Sequence, residues 1–318
     1  MKLSVVVPVY NAEATIAALT KEVFRALAAF DVELILVNDG SKDSSPQIAQ
    51  ELARQDQRIV AATLRKNFGE HNAVMCGLHF VTGDVVAIID DDLQNPPTEI
   101  IKLVAELEKG FDVVFAQYTQ KRHHPLRNLG SAFHNRVASY LLEKPRDLYL
   151  ASFKVMRREV AEQIILYKGP FPYIDGLALR VTQNLSTCVV EHRDREAGSS
   201  NYNLRRLVRL YLAMLLNFSI LPLRAFTIFG FLLSGVALLL VLATLVEWVL
   251  TSTMPQGYTS LFTALLFFSG VQIMFIGLIG EYLGRLFFSV NGTPQWVVKS
   301  VIRKGAIVRK MTVESQPE

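Results

Sequence analysis

Cysteine is scarce in this chain: Cys76 and Cys188 are the only two in 318 residues. They match no metal-binding spacing and supply no disulfide framework, as expected of a protein kept in a reducing cytoplasm. We expect both to be buried and inert. The first apolar run is not followed by G-x-G-x-x-G, and G-x-x-x-x-G-K-[ST] occurs nowhere. Dinucleotide oxidoreductases and P-loop NTPases therefore lose their main support, and any nucleotide must be held differently.

Charge is missing from two long stretches. Ala225 to Val246 and Thr259 to Gly280 are each 22 residues without an acid or a base, long enough to cross about 30 Å of hydrocarbon. They predict two transmembrane helices, joined through Thr251 to Tyr258, a short uncharged link containing Pro255 and Gly257. Acids are also rare here: residues 203 to 310 hold ten Lys/Arg against Glu247 and Glu281 alone. All ten cations flank the apolar pair and none lies in the inner link. The positive-inside rule then places both ends of the hairpin, and the N-terminal region with them, in the cytoplasm. Cations that bracket lipid-length helices are topology signals, so nucleic acid is not an expected partner. Few polar groups fall within or beside the spans (Gln272, with Glu247 and Glu281 near the ends), too few for two helices to form a transport path.

What is present begins with a β-α rhythm over the first 120 residues. Apolar runs at Leu3 to Tyr10, Val32 to Asn38, Arg58 to Leu64, Val85 to Ile89 and Phe111 to Gln117 read as strands. Helical patterns separate them, at Glu13 to Ala29, after Asp43-Ser44, at His71 to Val81 and after Pro97. Such alternation predicts an α/β fold with a mainly parallel sheet, whose ligands bind beyond the C-terminal strand ends. Tyr10-Asn11, Asp39 and Asp90 to Asp92 should therefore meet in one cleft. A late strand is expected at Ser186 to His192, and Leu204 to Leu221, with Arg205, Arg206 and Arg209, reads as an amphipathic helix in the membrane interface.

The most informative stretch is DVVAIIDDDLQNPP, Asp84 to Pro97. An apolar strand ends in three carboxylates, and Asn-Pro-Pro prevents its continuation. On an extended chain Asp90 and Asp92 would share a face and Asp91 the other. Converging carboxylates repel unless a cation lies between them, and hard oxygen donors suit Mg²⁺ or Mn²⁺, with Gln94 adding a neutral oxygen. The alternative is an acidic N-cap cluster for the helix after Pro97. Further on, Lys121 to His124 and Arg127 form a basic loop suited to anions.

The residues match a known family. Val6 to Asn11 (VVPVYN), Val37 to Ser41 (VNDGS), Asn67 to Gly77 (NFGEHNAVMCG), Asp90 to Pro97 (DDDLQNPP), Gly198 to Tyr202 (GSSNY) and Gly277 to Arg285 (GLIGEYLGR) together resemble the polyprenyl-phosphate glycosyltransferases. These are family 2 glycosyltransferases of GT-A fold, a group that includes dolichol-phosphate mannose synthases and undecaprenyl-phosphate aminoarabinose transferases. The likeness covers nearly the whole chain. It implies a GT-A catalytic domain over 1–202, a juxtamembrane amphipathic helix over 203–222, a two-helix hairpin over 223–284 and a cytoplasmic tail over 285–318. It also implies inverting, metal-dependent transfer from a nucleotide sugar, a UDP-sugar by preference, to polyprenyl phosphate at the cytoplasmic (inner) membrane.

The resemblance assigns roles residue by residue. Pro8, Tyr10, Glu13 and Asp39 would line the nucleotide pocket; Asp90 and Asp91 would touch the donor, and Asp92 with Gln94 would hold the metal. Asp147, ahead of Ser152 to Arg157, would lie near the acceptor phosphate, as a base or as an orienting group. Arg127, Ser131 and Arg195 would bind phosphates, with Ser200 and Tyr202 of the Gly/Ser loop beside the acceptor. The chain departs from the family pattern twice: Ala12 takes the third place of the usual Tyr-Asn-Glu-Glu, and the usual lysine of the G-E-S-K-Y loop is absent. A Q-x-x-R-W motif, typical of processive polysaccharide synthases, is missing too. Gly277, Gly280 and Gly284 would allow close helix approach, between two copies of the chain or within one.

Overall fold

The computed structural model describes residues 1–118, 148, 150–193 and 257–308, with 223, 228–230 and single positions between 232 and 250. The chain forms two compact units, Met1–Asn201 with Thr293–Glu318, and Tyr202–Gly292.

The first unit is built on a sheet whose centre is β1 (Lys2–Val9). Its neighbours β2 (Asp31–Asn38) and β4 (Val85–Ile88) run parallel to it, and β3 (Ile59–Leu64) runs parallel to β2. These strands are almost wholly buried, so their near-continuous apolar sequences fit a sheet covered on both faces. Successive residues alternate between the two cores. Leu3, Val5 and Val7 pack with α1 (Ile16–Ala26), α2 (Ser45–Gln55) and α4 (Glu99–Leu107); Val6 packs on the other face with α3 (Glu70–Leu78).

Beyond β4 the sheet becomes mixed. The full order is β7 (Leu185–Val190), β5 (Val113–Tyr118), β6 (Lys154–Arg157), β4, β1, β2, β3, β8 (Val298–Arg303) and β9 (Ala306–Val308). β6 (Lys154–Arg157) lies antiparallel between β4 and β5 (Val113–Tyr118), and β7 (Leu185–Val190) pairs parallel with β5. Two helices, α5 (Arg158–Ile164) and α6 (Ile174–Val181), join α3 on its face. Residues after 292, read from sequence as a tail, return to this unit. They form β8 (Val298–Arg303), antiparallel to β3, and β9 (Ala306–Val308). Cys76 is buried, with its thiol pushed up to about 12 by burial, while Cys188 is partly accessible.

In the second unit, α7 (Tyr258–Val290) is a helix of 33 residues, about 50 Å long at 1.5 Å per residue. Among the described residues it is the one helix long and apolar enough to cross a membrane, and its apolar window is Phe267–Phe288. That window lies toward the C-terminus of the expected span, Thr259 to Gly280, and includes Glu281. Ile273, Ile276, Leu283 and Phe287 on α7 are 62–70% exposed, as lipid-facing side chains would be. The described positions from 228 to 250 are helical, and Leu232, Leu239 and Val249 are equally open. The interfacial helix expected over Leu204 to Leu221 lies outside the described residues.

Candidate functional site

The C-terminal ends of β1, β2 and β4 deliver Tyr10, Asp39 and the Asp90–Asp92 turn to one edge of the sheet. β4 ends at Ile88, two residues before the first acid, and Asp91 and Asp92 lie in a turn followed by Leu93 at φ 61°. The expected strand alternation therefore does not govern these carboxylates. Asp90 Oδ2 accepts from Ser152 Oγ at 2.6 Å and Asn95 Nδ2 at 3.2 Å. Asp91 Oδ2 accepts from the Tyr10 N–H at 2.9 Å, and Asp92 Oδ1 from the Gln94 N–H at 3.2 Å. A left-handed leucine is strained by roughly 1–2 kcal/mol, which the bonds on either side of it offset.

Burial raises the pKa of Asp90, and the charge of Asp92 raises it further against the bond from Ser152. Asp91 is pushed up to about 6, by burial first and then by Asp92 and Asp90, against the bond from Tyr10. Neighbouring acids that disfavour one another's charge are a setting a divalent cation relieves, and carboxylate with amide oxygen is a hard donor set. Among the described residues no three His, Cys, Asp or Glu side chains already form a metal cluster. Asp90, Asp92 and Gln94 nevertheless fit Mg²⁺ or Mn²⁺ in kind: such ions take few protein ligands and complete their shell with water and phosphate oxygens.

The remaining nucleotide-side residues divide by role. Tyr10 is 45% exposed at the tip of β1, available to a planar ring, whereas Pro8 is buried in the strand opposite Val37. Asp39 is 3% exposed, and its two oxygens accept from the N–H groups of Phe68 and Gly69 at 2.7 and 2.8 Å. Burial raises its pKa and these two bonds lower it. Gly40, at φ +66°, lets this turn approach the next loop: a Cβ there would lie 2.5 Å from the Lys66 carbonyl carbon. Glu13 accepts from the Ser44 N–H at 2.9 Å while its own N–H donates to Asp43, so it ties β1's outgoing loop to the start of α2. Arg127, Ser131, Asp147, Arg195, Ser200 and Tyr202 lie outside the described residues.

Beside Asp90 is a cavity of about 140 Å³. Ser152, which bonds Asp90, forms part of its wall, with Ile88 and Ile174 supplying apolar surface. Lys154 and Asp175 form an ion pair, both almost fully buried. Glu70, exposed on α3's first turn, stands at the cavity too, and its carboxyl is pushed up to about 7 by the surrounding protein and then by Asp90. Burial drives His71 down to about 4, so it is neutral, and it packs edge-on to Tyr173 at 5.2 Å. The sequence reading singled out neither Glu70 nor the Lys154–Asp175 pair. A signal existed for Lys154, a lone cation in the otherwise apolar Phe153 to Met156; none existed for Asp175.

An acidic turn at the open ends of parallel strands, beside a polar cavity, lies where α/β enzymes bind their ligands. The glycosyl transferase family 2 model matches residues 4–165, and a GtrB C-terminal hairpin model matches residues 221–286. The chain belongs to glycosyltransferase family 2 and is a glycosyltransferase. It is 32% identical over 316 residues to an undecaprenyl-phosphate 4-deoxy-4-formamido-L-arabinose transferase of Enterobacter sp. (strain 638), covering 96% of this chain and 95% of that protein. A protein of the same description from Pseudomonas fluorescens Pf-5 is 33% identical over 306 residues, covering 95% and 90%. Among solved structures, glucosyl-3-phosphoglycerate synthase of Mycobacterium tuberculosis with Mn²⁺, UDP and phosphoglyceric acid shares the fold. The TM-score is 0.50 at 22% identity, covering 68% of this chain and 78% of that one.

Proposed function

We propose that this glycosyltransferase moves a sugar, with inversion, from a nucleotide-sugar donor to the phosphate of a polyprenol such as undecaprenol, a UDP-sugar being the favoured donor. The observation that carries the reading is one chain that holds both a buried acidic turn beyond β4 and a membrane-length apolar helix. The full-length relatives are named for a sugar transferred to undecaprenyl phosphate, which agrees with it.

In this reading Tyr10 flanks the nucleotide, and Asp39 acts at one remove by fixing the loop at Phe68 and Gly69. Asp92 and Gln94 would hold Mg²⁺ or Mn²⁺, which when bound would supply positive charge to neutralise the departing diphosphate. Asp90, oriented by Ser152 and Asn95, faces the donor. The acceptor is a phosphomonoester, mostly dianionic at pH 7 because its second pKa is about 6, so it needs little activation. Asp147 then orients it, with Arg127, Ser131 and Arg195 on its charge and Ser200 and Tyr202 beside it. A polyprenyl chain is insoluble, so these groups meet it at the membrane. We place the catalytic unit on the cytoplasmic side, with residues 223–284 crossing as a hairpin. Gly277, Gly280 and Gly284 on α7 would allow close helix approach, by a second copy or by the other helix of the hairpin.

Membranes containing the protein, incubated with labelled UDP- and GDP-sugars and Mg²⁺, should yield label in the lipid extract from a UDP-sugar, in the form of a polyprenyl-phosphate monosaccharide. Label in polymer, or in lipid only from GDP-sugars, would overturn the reading in its acceptor or its donor respectively.

A further inference from the structure

The cavity beside Asp90 has no part in the mechanism above, yet Ser152 belongs to both. Its hydroxyl lines the cavity and donates to Asp90 at 2.6 Å, so a donor held at the acidic turn has this space next to it. At about 140 Å³ it is smaller than the ~300–1,000 Å³ that takes drug-sized ligands. One sugar ring is the size of group it suits; a nucleotide is too large. Its walls are of the matching kind: Ile88 and Ile174 offer apolar contact to ring C–H groups, while Ser152, Tyr173 and the carboxylates offer partners for hydroxyls.

Charge narrows the choice. The one cation among the cavity's described wall residues, Lys154, is already paired with Asp175, which leaves Glu70 as the wall's second acid. Once Glu70 is ionised, an anionic sugar entering here would meet net negative charge, whereas a neutral one would not. We propose that this cavity is the subsite for the donor's sugar ring, and that Glu70 is a specificity-determining residue which admits neutral sugars and rejects anionic ones such as uronic acids. The proposal rests on the donor reading above and adds to it the class of sugar.

UDP, UDP-glucose and UDP-glucuronic acid, titrated calorimetrically with Mg²⁺ into the full chain in detergent at about pH 8.5, where Glu70 is ionised, separate the possibilities. The two sugars differ only in a neutral or anionic group at C6. Wild type should bind UDP-glucose at least ~10-fold more tightly than UDP-glucuronic acid, a preference of about 1.4 kcal/mol. Glu70→Gln, which keeps shape and loses charge, should narrow the ratio to within about threefold, and Glu70→Lys should reverse it, since one close charge pair shifts binding by this order. Affinity for UDP itself should stay unchanged in both variants, which also reports that they are folded. Equal affinities in wild type, or a preference that survives Glu70→Gln and Glu70→Lys, would overturn the subsite while leaving the donor reading intact. Loss of UDP binding in both variants would make Glu70 a structural or nucleotide-side residue and overturn the proposal. Failure of wild type to bind UDP at all would remove the donor reading, and the subsite with it.

Discussion

The backbone N–H of Tyr10 donates to Oδ2 of Asp91 at 2.9 Å, which ties the tip of β1 to the turn beyond β4. The middle carboxylate of the triplet is thus occupied in holding the cleft together. In the proposed mechanism Asp90 and Asp92 then serve substrate and cation; the bond that occupies Asp91 is what the bare sequence DDD does not reveal. Asp92→Asn, which retains the acceptor for the Gln94 N–H, should lower turnover by at least ~100-fold, because changes even one shell out from a metal cost 10–100-fold. The melting temperature should remain near that of wild type. Activity of this variant within a few fold of wild type, or of wild type in excess EDTA, would remove the metal from the mechanism.

The same turn predicts how stability depends on pH. Asp91 at about 6 and Glu70 at about 7 both keep their protons in the folded state to higher pH than in the unfolded chain. Their contribution is therefore fullest below the unfolded carboxylate range of about 4 and is lost as pH rises through 6 and 7. In EDTA, Tm should fall between about pH 5.5 and pH 8. Mg²⁺ bound at Asp92 and Gln94 should raise Tm more at the higher pH, where the neighbouring Asp91 has ionised and a cation relieves the repulsion. A metal effect equal at both pH values would place the cation away from the Asp90–Asp92 turn.

The buried Lys154–Asp175 pair offers a separate test of the cavity wall. Removing one partner leaves an uncompensated buried charge, at a cost of about 3–5 kcal/mol. Asp175→Leu or Lys154→Met alone should lower Tm markedly, and the double variant should recover most of the loss, because apolar replacements of a buried pair are often neutral. Additive losses measured by denaturant titration would show that the two side chains do not depend on one another.

Legibility followed how local the physics was. The strands β1 to β4 were readable because strands buried on both faces are near-continuous apolar runs, and the carboxylates at their ends fell where parallel sheets bind ligands. The turn at Asp91–Asp92 was misread as extended because the positive φ of Leu93 leaves no mark in composition. The place of Asp39 at the end of β2 was legible, but its bonds to Phe68 and Gly69 depend on a loop 29 residues later in the chain. β6 inserts between β4 and β5, although β5 precedes it in sequence, and this is set by long-range pairing. Likewise, the segment after 292 is too polar and too short to announce that it completes the sheet.

That last segment is held by more than strand pairing. Gln295 Nε2 donates to the carbonyls of Tyr167 and Gly169, each at 2.7 Å, and Trp296, 8% exposed, packs on His79 with ring centroids 5.0 Å apart. The Arg65 N–H donates to the Val297 carbonyl at 2.9 Å, and Val301 and Ile302 are buried at 3% and 1% exposure. The hairpin therefore covers the edge of β3 just before the loop whose N–H groups hold Asp39. Trp296→Ala should cost about 3–5 kcal/mol, as large-to-small core changes do, and should lower Tm of the catalytic unit together with UDP affinity. Ending the chain at Gly292 should be worse, because an unpaired apolar strand edge promotes aggregation. Were the shortened protein to stay free of aggregates in detergent, with wild-type Tm and UDP binding, β8 and β9 would be an appendage to the sheet and not the closure of it.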